Sequence, residues 1–390
     1  MKRFCLFGNH PLISLAEVSR VFDTKPAFQV QALAVYETSL DTQKAADALG
    51  GLVKAGDIIW QGKRQDFNIS LLADWIKKHH TQDKILFGLT IYAENKKDMV
   101  KFKHLPIELK KALKPLGKKV RWVTGERGEI RPVTIQKMKL IDEGYDFVFI
   151  LYKSDIYIGR TKHVQNADAW SHRDYGRPFR DAKTGMLPPK LARMMVNLAV
   201  GKKPKKGATL LDPFCGSGTV LMESAMRYPH LHGIGTDIDN KQVRGAERNM
   251  QWLHKQGTVA STSKIEWMTS SAQDILDKVN SPIAYIVTEG FLGRPLQGRE
   301  SRQELERNMH EVQTIWKETL PALGKLQQKD DIMVCVWPEY MVGKETVALK
   351  MEAVVKAAGY TRKDKHDLLY GREQQFVRRR IVILRKQRGD

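Results

Sequence analysis

The spacing of apolar positions changes character along the chain, and the change falls near residue 179. Before it, Arg3–Phe7, Ala32–Tyr36 and Leu52–Ile59 alternate or run apolar like strands, while Leu12–Phe22 and Thr42–Leu49 have helical spacing, the latter stopped by Gly50-Gly51. These elements predict a small α+β module over residues 1–65. A second module is expected over 66–162, with helices at Ile69–His79 and Ile107–Leu116 and strands at Lys84–Ala93, Val120–Thr124, Phe147–Tyr152 and Asp155–Thr161. Residues 163–178 are polar and rich in turn formers, which predicts a linker. From 179 to 390 strands and helices alternate. Leu210, His232–Asp237, Ala284–Thr288 and Ile332–Trp337 mark strands; Leu187–Val200, Thr219–Tyr228, Lys241–His254, Arg302–Leu320 and Lys344–Ala358 mark helices. Such alternation predicts an α/β, doubly wound, mostly parallel sheet covered on both faces. A closing antiparallel pair is expected from His366–Tyr370 and Gln375–Arg385.

Composition narrows the partner. The 390 residues carry 65 Lys and Arg against 44 Asp and Glu, a formal net charge of +21. That excess favours a polyanionic partner. Three cysteines, Cys5, Cys215 and Cys335, are far apart and form no CxxC pair, which argues against a disulfide or zinc framework and fits a reducing compartment. No apolar stretch approaches the ~20 residues of a bilayer span. The expectation is a cytoplasmic protein with no membrane and no metal.

The chemistry concentrates at Thr209-Leu210-Leu211-Asp212-Pro213-Phe214-Cys215-Gly216-Ser217-Gly218-Thr219. A buried strand runs into a glycine turn and then a helix, the cradle of nucleotide cofactors. A dinucleotide fingerprint wants a third small residue where Leu221 stands, and Asp212 ahead of the turn would repel a pyrophosphate. An acid there suits a cation such as the ammonium of S-adenosylmethionine. Asp237 ends the next strand about 20 residues on, the place for a carboxylate that grips ribose hydroxyls. These residues point to a methyl donor rather than a hydride carrier or a nucleoside triphosphate.

On further motifs the chain resembles the THUMP-domain tRNA guanosine N2-methyltransferases, the group that modifies guanosine 10 in the tRNA core. Asp174-Tyr175-Gly176-Arg177-Pro178 and Gly185-Met186-Leu187-Pro188-Pro189-Lys190-Leu191-Ala192 resemble the lead-in to that family's catalytic domain, and Asp212–Thr219 resembles its cofactor motif. Tyr370-Gly371-Arg372, Gln375 and Arg379-Arg380-Ile381 resemble its closing hairpin. More weakly, Leu49–Lys54 and Phe87–Tyr92 resemble its ferredoxin-like and THUMP regions. The resemblance implies a ferredoxin-like module over 1–65, a THUMP-like RNA-binding domain over 66–162, a linker over 163–178 and a Rossmann-like methyltransferase domain over 179–390. Its cofactor is S-adenosyl-L-methionine and its partner tRNA or another structured RNA.

By that analogy Asp212, Phe214, Gly216, Gly218, Thr219 and Asp237 hold the cofactor. The family often has Asp-Ala where this chain has Ser271-Ala272, so Asp274 is a substitute candidate beside the adenine or a helix-capping acid. The fourth strand ends Thr288-Glu289-Gly290-Phe291. Amino-methylating enzymes place an Asp/Asn/Ser-Pro-Pro-Tyr/Phe signature there, because a conjugated exocyclic amine needs acceptors that orient its lone pair and an aromatic ring that stacks on the base. Here both prolines are absent, the acid falls one place later at Glu289, and Thr288 fills its slot. The Gly290 carbonyl is the second candidate acceptor and Phe291 the aromatic ring. The departure keeps three readings open: amine methylation, methylation of another target on rRNA or DNA, and an RNA-binding protein with a degenerate fold. Cysteine catalysis finds no support, since Cys215 lies inside the cofactor turn and Cys335 reads as core. Lys110, Lys111, Lys114, Lys118, Lys119 and Arg121 form a basic cluster suited to RNA phosphates, and Arg378-Arg379-Arg380 is expected to extend that surface. Trp122 beside them reads as core.

Overall fold

The computed structural model describes residues 2–37, 40–126, 128–181, 185–343, 345–364, 367–372 and 374–387. Two units form: Met1–Pro11 with Thr24–Ala169, and Leu12–Asp23 with Trp170–Asp390. Among the described residues, no helix is long and apolar enough to cross a membrane.

In the first unit eight strands make one sheet, in the order Phe28–Val30, Leu33–Tyr36, Arg3–Phe7, Leu52–Lys63, Asp155–Val164, Tyr145–Tyr152, Lys84–Ala93, Lys119–Val123. The strand Tyr145–Tyr152 is buried on both faces. Phe147 and Phe149 enter one core, and Val148 and Ile150 the other, as the two-residue period requires. Segments 1–65 and 66–162 share this sheet, joined where Leu52–Lys63 pairs antiparallel with Asp155–Val164. A buried ion pair, Lys54 Nζ to Asp146 Oδ2 at 2.7 Å, links the two strands that flank Asp155–Val164, and the hydroxyl of Thr161 on that middle strand donates to the same oxygen at 2.5 Å. Burial of such a charge is tolerable only with a partner like this.

The second unit carries a nine-stranded sheet whose main path runs Ile265–Thr269, His232–Asp237, Thr209–Asp212, Tyr285–Glu289, Ile332–Val342, Val377–Lys386, Tyr360–Arg362. The first five strands are parallel, and Val377–Lys386 pairs antiparallel with Ile332–Val342 and with Tyr360–Arg362. Adjacent residues serve opposite layers. Leu211, Ile286, Met333 and Cys335 pack with Trp316 on one face; Leu210, Val287 and Val334 pack with the helix Pro189–Val200 on the other. Each fully buried aliphatic side chain contributes roughly 1.5–3 kcal/mol, so register is set strongly here. Chain order reverses between Thr209–Asp212 and Tyr285–Glu289, which opens a crevice at their carboxyl ends.

The helix Pro11–Phe22 packs into this second unit. Glu17 is fully buried and accepts from Asn197 Nδ2 at 2.7 Å; Arg20 donates to the carbonyls of Leu198 and Ala199 at 3.1 Å each, closing the end of the helix Pro189–Val200.

Several elements differ from the sequence expectation. The connecting segment carries a helix, Ala167–Tyr175, started by Asn166, which accepts from the Ala169 N–H at 2.9 Å. The span expected as one helix from Lys344, which lies outside the described residues, forms a strand Glu345–Ala348 and a short helix Glu352–Ala357. The helix expected to end at Leu320 continues through Pro321 to Leu326. The short strand Phe28–Val30 has no counterpart in the sequence expectation, while the third strand, expected by analogy to end at Ser271, runs Ile265–Thr269. The closing pair forms, with Leu369 opposite Arg380 and Tyr370 opposite Arg379; His366, its expected start, lies outside the described residues.

Candidate active site

The central strand delivers Asp212 to the sheet's carboxyl edge, and the chain then turns. The Cys215 N–H donates to the Thr236 carbonyl at 2.8 Å, and the Gly218 N–H to the Cys215 carbonyl at 2.7 Å. Gly216 and Gly218 both have positive φ, +49° and +81°. At Gly218 an added Cβ would lie 2.8 Å from the Ala246 Cβ and 3.1 Å from the Trp267 ring, so this glycine lets the helix Thr219–Arg227 nest against its neighbours. At Gly216 an added Cβ would meet nothing within 4 Å, because that backbone faces a cleft. From behind, the buried Arg177 guanidinium fastens the turn, donating to the Thr219 hydroxyl at 2.6 Å and the Ser217 hydroxyl at 3.3 Å.

Two carboxylates border the turn. Asp237 accepts at Oδ2 from the Gly216 N–H (2.9 Å) and at Oδ1 from the Asp239 N–H (3.0 Å). Burial raises its pKa above the usual carboxylate range. Asp212 is more deeply buried. Its Oδ1 accepts from the Thr288 hydroxyl at 2.7 Å and from the Phe214 N–H at 3.3 Å. Burial pushes Asp212 up to about 7, more than these two bonds lower it, and the charges of Asp237 and Glu289 add to the rise. Three acids thus stand close together here, and among the described residues no cation is paired with Asp212.

The cleft of about 580 Å³ brings together Asp212, Phe214, Gly216, Thr219 and Asp237 with Glu289, Gly290 and Phe291. Phe214 rests 6.0 Å from the fully buried Trp316, ring centre to ring centre. Phe291 is 36% exposed, a large aromatic ring open to a partner. Three expected residues do not line the cleft. Gly218 packs between helices, and Thr288 turns inward to hold Asp212. Asp274 accepts from the Ser271 hydroxyl at 2.6 Å, while Ser271, Ala272 and Gln273 line the wall. Cys215 also lines it, with burial raising its thiol well above the ordinary value, so it stays protonated. Sequence reasoning passed over Asp181, Gln242 and Ile315 in the lining; Arg177 was quoted only as part of a motif, and Arg379, expected on the RNA surface, instead supports Glu289. Met186, Leu187 and Arg177 lay within the quoted lead-in motif, which was their signal.

The basic cluster sits in the first unit. The helix Leu105–Leu113 buries Leu105, Leu109 and Leu113, which turns Lys110 and Lys111 outward. Lys114 follows in a short turn, and Lys119 and Arg121 are exposed on the edge strand Lys119–Val123. Lys118 is half-buried, with its ammonium on the Gln82 carbonyl at 2.5 Å. Trp122 packs against the core beneath. The arginines Arg378, Arg379 and Arg380 do not form a free cationic surface: Arg378 pairs with Glu339, Arg379 with Glu289, and Arg380 with Glu339 and Asp367.

Comparison with known proteins agrees with this geometry. Residues 177–314 match the family described as RMKL-like, methyltransferase domain. The tRNA (guanine(10)-N2)-dimethyltransferase of Methanothermobacter thermautotrophicus is 34% identical over 117 residues, 30% of this chain and 30% of that protein. A probable tRNA (guanine(10)-N2)-dimethyltransferase of Methanothermococcus thermolithotrophicus is 32% identical over 124 residues, 32% of this chain and 72% of that protein. The U6 snRNA (guanine-N(2))-methyltransferase THUMPD2 of Bos taurus is 41% identical over 69 residues, 18% of this chain and 13% of that protein. This chain thus spans less than a third of the length of the Bos taurus and Methanothermobacter proteins. The crystal structure of TrmN from Thermus thermophilus has the same fold, with a TM-score of 0.55 at 15% identity over 99% of this chain and 100% of that one. The chain belongs to the methyltransferase family that contains the tRNA (guanine(10)-N2)-dimethyltransferases.

Proposed function

We propose that this chain is an S-adenosylmethionine-dependent methyltransferase acting on the exocyclic N2 amine of a guanosine in tRNA. One observation carries the reading: an acid-bordered glycine turn and a fourth-strand acceptor group with an exposed ring line the same cleft. The donor set fits the cofactor. Asp212 is a buried carboxylate with no cationic partner among the described residues, which suits an ammonium; Asp237 keeps lone pairs for ribose hydroxyls; Gly216 leaves room in front of the turn. S-adenosylmethionine supplies a sulfonium-bound methyl group, which passes in line to a nucleophile.

The chain's own residues provide the rest. Phe291 stacks on the extruded base and fixes its plane. Glu289 and the Gly290 carbonyl accept hydrogen bonds from the target amine, draw its lone pair out of conjugation and stabilise the positive charge that develops there. Glu289 then takes the proton that the amine sheds. Positioning of this kind supplies most of the effect in a reaction that needs no metal and no covalent enzyme adduct. Residues 66–162 serve as a THUMP-like docking domain, with Lys110, Lys111, Lys114, Lys119 and Arg121 on the phosphate backbone.

The test is digestion and mass spectrometry of unmodified tRNA after incubation with the chain and labelled cofactor. N2-methylguanosine is the expected product. Label in rRNA or DNA but not tRNA would overturn the substrate. Calorimetry with S-adenosylhomocysteine is the companion measurement: no heat and no rise in melting temperature would leave an RNA-binding protein with a degenerate pocket.

A further inference from the structure

The acid at the end of the fourth strand has a fixed partner that comes 90 residues later in the chain. Arg379, on the strand Val377–Lys386, donates through Nε to Glu289 Oε1 at 2.5 Å and through Nη2 to Oε2 at 3.4 Å. The two side chains are only 17% and 13% exposed, so this is a sheltered pair rather than a surface contact. Its neighbours cannot stand in for it, since Arg378 and Arg380 are turned to Glu339. The pairing is side-on and unequal. Oε1 is taken by the short bond, while the long bond leaves Oε2 with lone pairs to spare for the cleft that Glu289 lines. An ion-paired carboxylate offers acceptors and no proton.

Nucleobase edges differ in what they show such a group. Guanine presents N1–H beside its N2 amine, two donors in a row. Adenine and cytosine present an amine beside a bare ring nitrogen, whose lone pair a carboxylate repels. We propose that Arg379 is a positioning residue that holds Glu289 as an acceptor-only contact, and that the pair thereby selects a target edge with N–H beside the amine. This rests on the reading of 289–291 as the target-base contact and adds to it the source of base selectivity. Glu289 supplies the recognition; Arg379 acts through it and touches no reacting atom.

The experiment compares tRNA transcripts carrying guanosine or 2-aminopurine riboside at the modified position. 2-Aminopurine keeps the amine and lacks N1–H. The wild-type chain should prefer guanosine in kcat/KM by about tenfold or more, the scale of a two-point base contact. Arg379→Met should lower kcat and bring the ratio close to one, and Arg379→Lys, which restores charge without the fork, should recover part of both. Affinity for S-adenosylhomocysteine should stay within about twofold in both variants, which separates positioning from unfolding. A wild-type chain that methylates both transcripts alike overturns the proposal. So does an unchanged ratio in Arg379→Met, or in Arg379→Lys where the first variant is inactive, even while Glu289→Gln is slow and the site reading stands. A wild-type rate in Glu289→Gln removes the acid from the target contact and takes both readings down together.

Discussion

Asp212 concentrates the site's electrostatics in one side chain. Burial holds its pKa at about 7, against ~3.9 for an unfolded chain. The folded state thus binds the extra proton, so this residue's contribution to stability is complete below about pH 4 and is lost as pH rises through about 7. A cationic ligand reverses the preference, because it binds the ionised form. Affinity for S-adenosylhomocysteine should therefore rise about tenfold from pH 6 to pH 8, the change in the ionised fraction. Asp212→Asn should bind more weakly and with a flat profile, as read by calorimetry; a wild-type profile in that variant would place the titration elsewhere. Asp237→Ala should weaken the cofactor about tenfold or more while tRNA affinity holds, and an unchanged cofactor constant would remove it from the ribose. Both acids were legible in the sequence because each is tied to a local backbone event, the end of a strand before a turn. Arg177 and Arg379 were not legible as supports. Their partners lie 42 and 90 positions away, and only the fold brings them together.

Among elements, the strand, turn and helix around 209–227 follow from local rules, and so the sequence shows them plainly. Two apolar strand residues feed opposite layers, two glycines take positive φ, and the helix starts where the second ends. The region after 343 obeys no such rule. Val347, Leu349, Met351, Val354 and Val355 satisfy helix and strand spacing equally, and pairing with Ile332–Val342 decides for a strand at Glu345–Ala348. The helix Arg302–Leu326 runs through Pro321, since Leu320 and Leu323 hold it in the core and it tolerates the missing hydrogen bond. The basic helix of the first unit was legible from its leucines, whose burial leaves its lysines outward. Replacing Lys110, Lys111 and Lys114 with Glu should weaken tRNA binding and flatten the plot of log affinity against log salt by about 0.7–0.9 for each phosphate no longer neutralised. An unchanged slope would put the RNA on another face.

On the scale of the molecule, the +21 charge is carried by both units, but its use differs. In the first unit lysines stand exposed on a helix and an edge strand; at the closing strand of the second, consecutive arginines are tied to acids and brace the sheet. Composition alone does not separate these roles, because both count equally toward net charge. The buried contact between Glu17 and Asn197 is the corresponding test of architecture. Glu17→Ala removes the acceptor of a buried amide and should cost about 1–3 kcal/mol, seen as a lower melting temperature of the second unit. Unchanged melting would show that the first helix is dispensable there.

That helix has a consequence for how the chain is made. It leaves the ribosome well before its seat, which includes Asn197 and the capped carbonyls of Leu198 and Ala199, about 180 residues downstream. Throughout that wait its apolar face, with Ile13 and Val18, has no home, while the first unit's sheet, which takes Arg3–Phe7 from before the helix and its other strands from after it, is free to assemble. Birth order and docking order therefore run opposite ways, and cutting the gene near residue 170 to obtain the second unit alone would discard a helix that belongs to it.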